Sequence, residues 1–195
     1  VVIRSHGVSR SVYEQLEFRN VEIVDATCPF VKRIHKIVSA SEENGRQPII
    51  IGTKIHPEVT AIAGWCSNPL VFENAEELEN WFEQDPQRKQ MPISLVCQTT
   101  STQKLWESCK NLIKKVCTNS EIFDTICEAT EKRQKEASEL SKICDAMVVV
   151  GDLNSSNTKK LAMICRQACD CVALVEDADE LDLSHFSHAK SVGIT

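Results

Sequence analysis

The sequence predicts an α/β protein made of repeated units with mainly parallel sheets, on three observations. Short β-branched runs alternate with stretches of helical periodicity. One strand–Asp-x-x-Cys–helix pattern occurs twice in 195 residues. Further segments recur at nearly the same spacing as that pattern.

Residues 1–6 read as the last strand of an earlier unit. Residues 29–44 place Phe30, Val31, Ile34, Ile37 and Val38 at three-to-four spacing, which predicts a helix. Residues 49–51 and 93–96 follow as strands. Residues 102–117 set Leu105, Trp106, Cys109, Leu112, Ile113 and Val116 on one helical face. Strands are expected again at 147–150, 171–175 and 190–194. The polar stretch 83–92, with Pro86 and Pro92, is expected to be a mobile loop.

The repeat organises these elements. EIVDATC (residues 22–28) matches EIFDTIC (121–127) at an offset of 99 residues. The same offset pairs IIIG (49–52) with VVVG (148–151), and carries His56 onto Ser155 and Glu58 onto Asn157. VFENAEEL (71–78) matches LVEDADEL (174–181) at an offset of 103. The division that follows is 1–25 as the tail of a first unit, 26–124 as a second, and 125–195 as a third, truncated at its end. Val1 is not a methionine and the last residues read as a strand, so the chain is expected to be a piece of a longer protein.

Composition narrows the function. The formal charge is −6, with 22 Lys+Arg against 28 Asp+Glu and no long basic block, which argues against nucleic-acid binding within these residues. No apolar run approaches the ~20 residues of a membrane span, and the first residues given do not read as a secretory signal. Ten cysteines dispersed among helical patterns indicate a reducing, cytoplasmic setting rather than a disulfide framework.

Of the ten, only Cys28 and Cys127 recur within the matched segments quoted above. Each sits at a strand-to-helix junction, with Pro29 suited to the first helical position. A sulfur there meets the positive end of the helix dipole, which favours the thiolate, the form that binds metal. The other eight are expected in cores. Cys165, Cys169 and Cys171 lack the fourth ligand of a zinc knuckle. Two thiolates from two units imply a third from the earlier one, a set suited to an iron–sulfur cluster with one iron free of protein ligands.

Polar turns form the second group: Ser5-His6-Gly7, His56-Pro57-Glu58, residues 99–102, and residues 154–157. Each precedes a helical stretch, where exposed N–H groups and cap-forming side chains suit an anion such as a diphosphate. Glu58, at a helix start beside such an anion, would have its pKa raised and suit proton delivery. An ordinary first-turn glutamate is the competing reading. His35 is expected to be structural; His185 and His188 have no matching partner.

IRSHGV (3–8), DATCPFV (25–31), IGTKIHPEV (51–59), QTT (98–100), DTICEATEKRQ (124–134) and VVGDLNSSN (149–157) together resemble the LytB-type 4-hydroxy-3-methylbut-2-enyl diphosphate reductases. The resemblance spans all 195 residues. It implies a pseudo-threefold trefoil of α/β units around a central 4Fe-4S cluster, with the first unit mostly missing from this chain. It implies reductive dehydroxylation of an allylic diphosphate to isopentenyl and dimethylallyl diphosphates, an oxidoreductase step of the non-mevalonate isoprenoid pathway. Cys28 and Cys127 would ligate the cluster, and the third cysteine would precede Val1. The chain alone would then lack a complete cluster and activity. His6, His56, Ser155, Ser156 and Asn157 would contact the diphosphate. Glu58 would donate a proton, with Thr99 near the substrate hydroxyl and Thr130 near the cluster. The resemblance also implies an electron donor such as ferredoxin or flavodoxin. The rival readings are a metal-dependent phosphohydrolase, which leaves the repeated cysteines idle, and a non-catalytic iron–sulfur redox sensor or scaffold, which leaves the polar turns unexplained.

Overall fold

Parallel strands joined by helices form the framework of the chain. The computed structural model describes residues 1–195 and divides into two compact units, Val1–Ile126 and Cys127–Thr195.

In the first unit the order is β1 (Val2–Ile3), α1 (Arg10–Phe18), β2 (Val24–Asp25), α2 (Pro29–Glu43), β3 (Gln47–Ile51), α3 (Pro57–Ala63), β4 (Leu70–Phe72), α4 (Ala75–Gln84), β5 (Ile93–Cys97), α5 (Gln103–Val116) and β6 (Ser120–Ile122). β1 and β2 form a parallel pair, and the main sheet has the order β4-β3-β5-β6, parallel throughout. Because side chains alternate along a strand, a sheet covered on both faces needs continuous apolar strands. The isoleucine run of β3 meets this need. Ile49 and Ile51 pack with Leu95, Trp106, Cys109, Ile113, Leu78 and Phe82. Ile50 faces the other way, with Val96, Ile34, Val38, Val59 and Ile62. Thus α4 and α5 cover one face, and α2 and α3 the other.

The second unit runs α6 (Glu128–Leu140), β7 (Ala146–Val150), α7 (Ser156–Cys165), β8 (Val172–Val175) and β9 (Val192–Ile194), with a parallel sheet of order β8-β7-β9. Met147 and Val149 pack on Ala137, Leu161, Ala162 and Cys165.

The α/β class with parallel sheets is as the sequence predicts. Residues 83–92 are not the loop expected: 83–84 finish α4, and Pro86–Gln90 form a 3-10 turn. Asp85 accepts the Gln87 N–H at 2.9 Å, and the Arg88 guanidinium lies 4.7 Å over the Trp81 ring while bonding the Trp81 carbonyl. The repeated VFENAEEL segment also diverges. In the first unit it opens the ten-residue α4, whereas in the second it gives only the 3-10 turn Ala178–Glu180. The apolar stripe explains this, because Trp81 and Phe82 correspond to Ser184 and His185. α1, which the sequence reading does not single out, has no fully buried residue.

His35 on α2 is buried, as expected of a structural residue, and stacks on Trp65 with ring centroids 5.0 Å apart. Its Nε2 has no hydrogen-bond partner. Burial pushes its imidazole down to about 4; Asp25 opposes that shift and Lys32 adds to it. Asp25 is itself pushed up by burial, yet hydrogen bonds from Lys32 and Thr27 hold its carboxyl well below the usual range.

Two outcomes follow from this packing. Trp106 is wholly buried and its Nε1 donates to Asp124 at 3.0 Å, so Trp106→Ala should cost about 3–5 kcal/mol in urea unfolding. For His35, the folded state stays neutral at a pH where an unfolded histidine, titrating near about 6.5, binds a proton. Between about pH 4 and 6.5 the unfolded chain therefore holds more protons, and stability falls as pH drops through that window. Unfolding curves of His35→Leu should be shallower in pH there by up to about 1.4 kcal/mol per pH unit. Equal slopes in parent and variant would count against a neutral His35.

Candidate functional site

All strands of each sheet run the same way, so their carboxyl ends share an edge, the usual position of α/β ligand sites. The turns singled out in the sequence follow β1, β3, β5 and β7 there, and each leads into a helix.

The turn after β1 carries His6. Its backbone is tied to the Cys28 junction, since the Cys28 N–H donates to the Ser5 carbonyl at 2.9 Å. Gly7 has φ +72°, and a Cβ at that position would sit 2.7 Å from the His35 ring. Only glycine meets both the left-handed backbone and that close approach. Trp65 Nε1 fastens the far side of the turn by donating to the Val8 carbonyl at 2.9 Å.

The turn after β3 carries His56 and Glu58. His56 caps α3, and its Nδ1 accepts the Glu58 N–H at 3.1 Å, which leaves the ring proton on Nε2. The His6 and His56 rings meet edge-on, 5.2 Å between centroids. Glu58 is 2% exposed. Its Oε1 accepts the Thr99 N–H at 2.6 Å and its Oε2 the Thr99 hydroxyl at 2.7 Å. Adjacent strands create this pair, because β3 and β5 align Ile51 with Cys97, and Glu58 and Thr99 lie just beyond their ends.

Gln98, quoted within a motif but not among the sequence candidates, binds the two turns together. It is fully buried, its Oε1 accepts the Thr53 N–H at 3.2 Å, and its Nε2 donates to the Thr100 hydroxyl at 3.0 Å. Its place beside Thr99 was the available signal. The first unit therefore gathers His6 with His56 and Glu58 with Thr99, on a frame that includes the Cys28 junction.

The second unit holds a separate set. Cys127 caps α6, and Thr130 is buried on the first turn of that helix. The buried positions of α6, Thr130, Gln134 and Ala137, correspond at the 99-residue offset to Val31, His35 and Val38 of α2. Ser155 caps α7, its hydroxyl accepting the Thr158 N–H at 3.4 Å, with Ser156 and Asn157 next in the first turn. Asn157 Oδ1 is buried without a hydrogen-bond partner. Turning the amide end for end would present N–H donors at that point.

The cysteines divide by environment. Cys28 and Cys127 are half-buried helix caps, and neither side chain makes a capping hydrogen bond. Cys97, Cys109, Cys117, Cys165 and Cys169 are buried. The sulfurs of Cys66, Cys169 and Cys171 donate to backbone carbonyls. No three His, Cys, Asp or Glu side chains form a metal-sized group. A cavity of about 690 Å³ along the outer face of α2 is lined by none of the candidate residues. Two of its cations, Lys32 and Arg46, are already paired with Asp25 and Glu121. No helix is long and apolar enough to cross a membrane.

Comparison with known proteins places this geometry. Residues 1–195 match the family model described as LytB protein. A 4-hydroxy-3-methylbut-2-enyl diphosphate reductase of Caldanaerobacter subterraneus subsp. tengcongensis is 41% identical over 198 residues, covering all of this chain and 66% of that protein. One from Helicobacter pylori (strain P12) is 43% identical over 197 residues, covering 69% of its length. The solved E-1-hydroxy-2-methyl-but-2-enyl-4-diphosphate reductase of Plasmodium falciparum superposes with a TM-score of 0.91 at 25% identity, over all of this chain and 61% of that one. A second solved structure, of (E)-4-hydroxy-3-methyl-but-2-enyl diphosphate reductase, gives 0.64 at 30% identity. The chain spans about two thirds of the length of these relatives. It belongs to the LytB family.

Proposed function

We propose that the protein containing this chain reductively removes the allylic hydroxyl of 4-hydroxy-3-methylbut-2-enyl diphosphate. Two electrons and two protons yield water plus isopentenyl and dimethylallyl diphosphates. The observation that carries this reading is the Glu58–Thr99 pair, a buried carboxylate with both oxygens bonded to one residue at the carboxyl edge of a parallel sheet, in a chain of this family.

The chemistry follows from the donors. The Thr99 hydroxyl donates to Glu58 Oε2 here; once Glu58 takes up a proton the bond reverses, and Oε2 passes that proton to Thr99 Oγ1 while the hydroxyl gives its own to the departing oxygen. With its Nδ1 engaged, His56 offers Nε2–H to the diphosphate, and His6, edge-on to it, gives a second donor. Ser155, Ser156 and Asn157, at the start of the ten-residue α7, supply neutral donors. An acidic chain can hold an anion in this way because the donors are local.

Cys28 and Cys127 suit a 4Fe-4S cluster. Both are accessible thiols at the N-termini of long helices, and neither is committed to a cap bond. Each would give one thiolate, with Thr130 alongside Cys127. When bound, the cluster supplies the electrons and a Lewis-acid centre. An external donor such as ferredoxin or flavodoxin would refill it, in a cytoplasmic setting.

Glu58→Gln should slow turnover by about 10²-fold while leaving substrate affinity near the parent value. His56→Asn should instead raise KM. Steady-state kinetics with a chemical reductant separates the two, and an undiminished rate for Glu58→Gln would remove Glu58 from proton delivery. For the cofactor, Cys28→Ser and Cys127→Ser should each lower iron and sulfide content and the absorbance band near about 400 nm. Cys66→Ala should not, since burial pushes that thiol up to about 11.

A further inference from the structure

The third repeated segment has no part in the reading above, yet its hydrogen bonds recur in both units. In the first, Glu73 Oε1 accepts the Lys54 N–H at 2.8 Å, and Glu77 Oε2 braces it by accepting the Glu73 N–H at 3.2 Å. In the second, Glu176 Oε1 accepts the Leu153 N–H at 2.8 Å, and Glu180 Oε2 accepts the Glu176 N–H at 2.9 Å. Lys54 and Leu153 are equivalent positions, each two residues before a helix cap, His56 and Ser155. Two backbone bonds of the turns also match. His56 N–H donates to the Thr53 carbonyl and Ser155 N–H to the Asp152 carbonyl, both at 2.9 Å. Gly52 N–H reaches the Phe72 carbonyl and Gly151 N–H the Val175 carbonyl, both at 3.0 Å.

The side chains around this frame are not retained. Glu77 pairs with the Lys54 ammonium at 2.8 Å, whereas position 153 is a leucine with no charge to offer. What both units keep is the carboxylate-to-backbone bond. A negative charge beside turns that receive an anion works against binding by Coulomb's law. Its benefit must lie elsewhere, in fixing the turn, because a side-chain oxygen that accepts the backbone N–H holds it in one place.

We propose that Glu73 and Glu176 are matched positioning residues that hold the His56 and Ser155 turns in the geometry that receives the substrate diphosphate. The inference rests on the diphosphate-binding reading given above. It assigns these glutamates no contact with substrate, only control of where the donors stand.

Acceptance and charge can be separated. Gln keeps an oxygen that accepts the N–H and drops the charge, whereas Ala drops both. In the intact holoenzyme, titration calorimetry with inorganic diphosphate should show E73A and E176A each binding about tenfold more weakly. E73Q and E176Q should bind within about threefold of the parent, or tighter. KM for the allylic diphosphate should rise in the alanine variants while kcat stays within about twofold. Thermal melts report folding, and each unit supplies its own pair of variants should one alanine variant unfold. A parent that binds no diphosphate overturns the functional reading and this inference with it. A parent that binds, with both alanine variants equally tight, overturns the positioning role alone, as does loss of affinity to the same extent in the glutamine and alanine variants.

Discussion

A carboxylate shielded from water costs several kcal/mol unless its oxygens find donors, and Glu58, at 2% exposure, is such a group. Thr99 satisfies it with both its backbone N–H and its hydroxyl. Much of the first unit is arranged so that this can happen. β3 and β5 must be neighbours in register, so that the residues beyond Ile51 and Cys97 emerge together. The backbone at position 52 must pass close to Gln98 and Val59, where a Cβ would come within 2.9 Å of both. Gln98 then closes the gap, bonding Thr53 on one side and Thr100 on the other. The isoleucines of β3, buried on both faces, make the strand pair rigid enough to set this spacing.

The fold was legible because its two signals are local. Helical periodicity in residues 29–44 and 102–117 marks α2 and α5 to within one residue at each end. The repeat supplied β2 and β6, each only two or three residues long and too short for a pattern of its own. Where reading failed, tertiary contacts had overridden local chemistry. Proline and charge in residues 83–92 pointed to a loop, but Arg88 stacks on Trp81 and folds the segment back on α4. α1 is only nine residues long, and its apolar positions Val12, Tyr13 and Leu16 are no more than half-buried.

Site residues were legible by position more than by partner. Spacing singled out His56 and Glu58 at a helix start, but nothing in the sequence says that His6, fifty residues earlier, presents its ring to His56. Likewise, Thr99 stood out as one of several hydroxyl residues after a strand; that its hydroxyl and N–H both serve Glu58 depends on strand order. Gln98 escaped because an uncharged side chain inside a polar run carries no mark of burial, although it is fully enclosed.

The repeat also separates what the backbone requires from what the chemistry requires. Positions that shape the turns are the same in both units: the glycine after each central strand, and Glu73 with Glu176. Positions that would meet a ligand are not. His56 becomes Ser155 and Glu58 becomes Asn157. In each case a side chain that can gain or lose a proton gives way to one that cannot. Duplication alone would leave two equivalent proton sources, and the proton transfer proposed above, to one oxygen, needs only one. The first unit keeps the titratable groups, enclosed and hydrogen-bonded, while the second keeps neutral donors that suit an anion without exchanging protons with it. The frame could stay constant because its bonds run through the backbone, leaving the exposed ends of the same turns free to specialise.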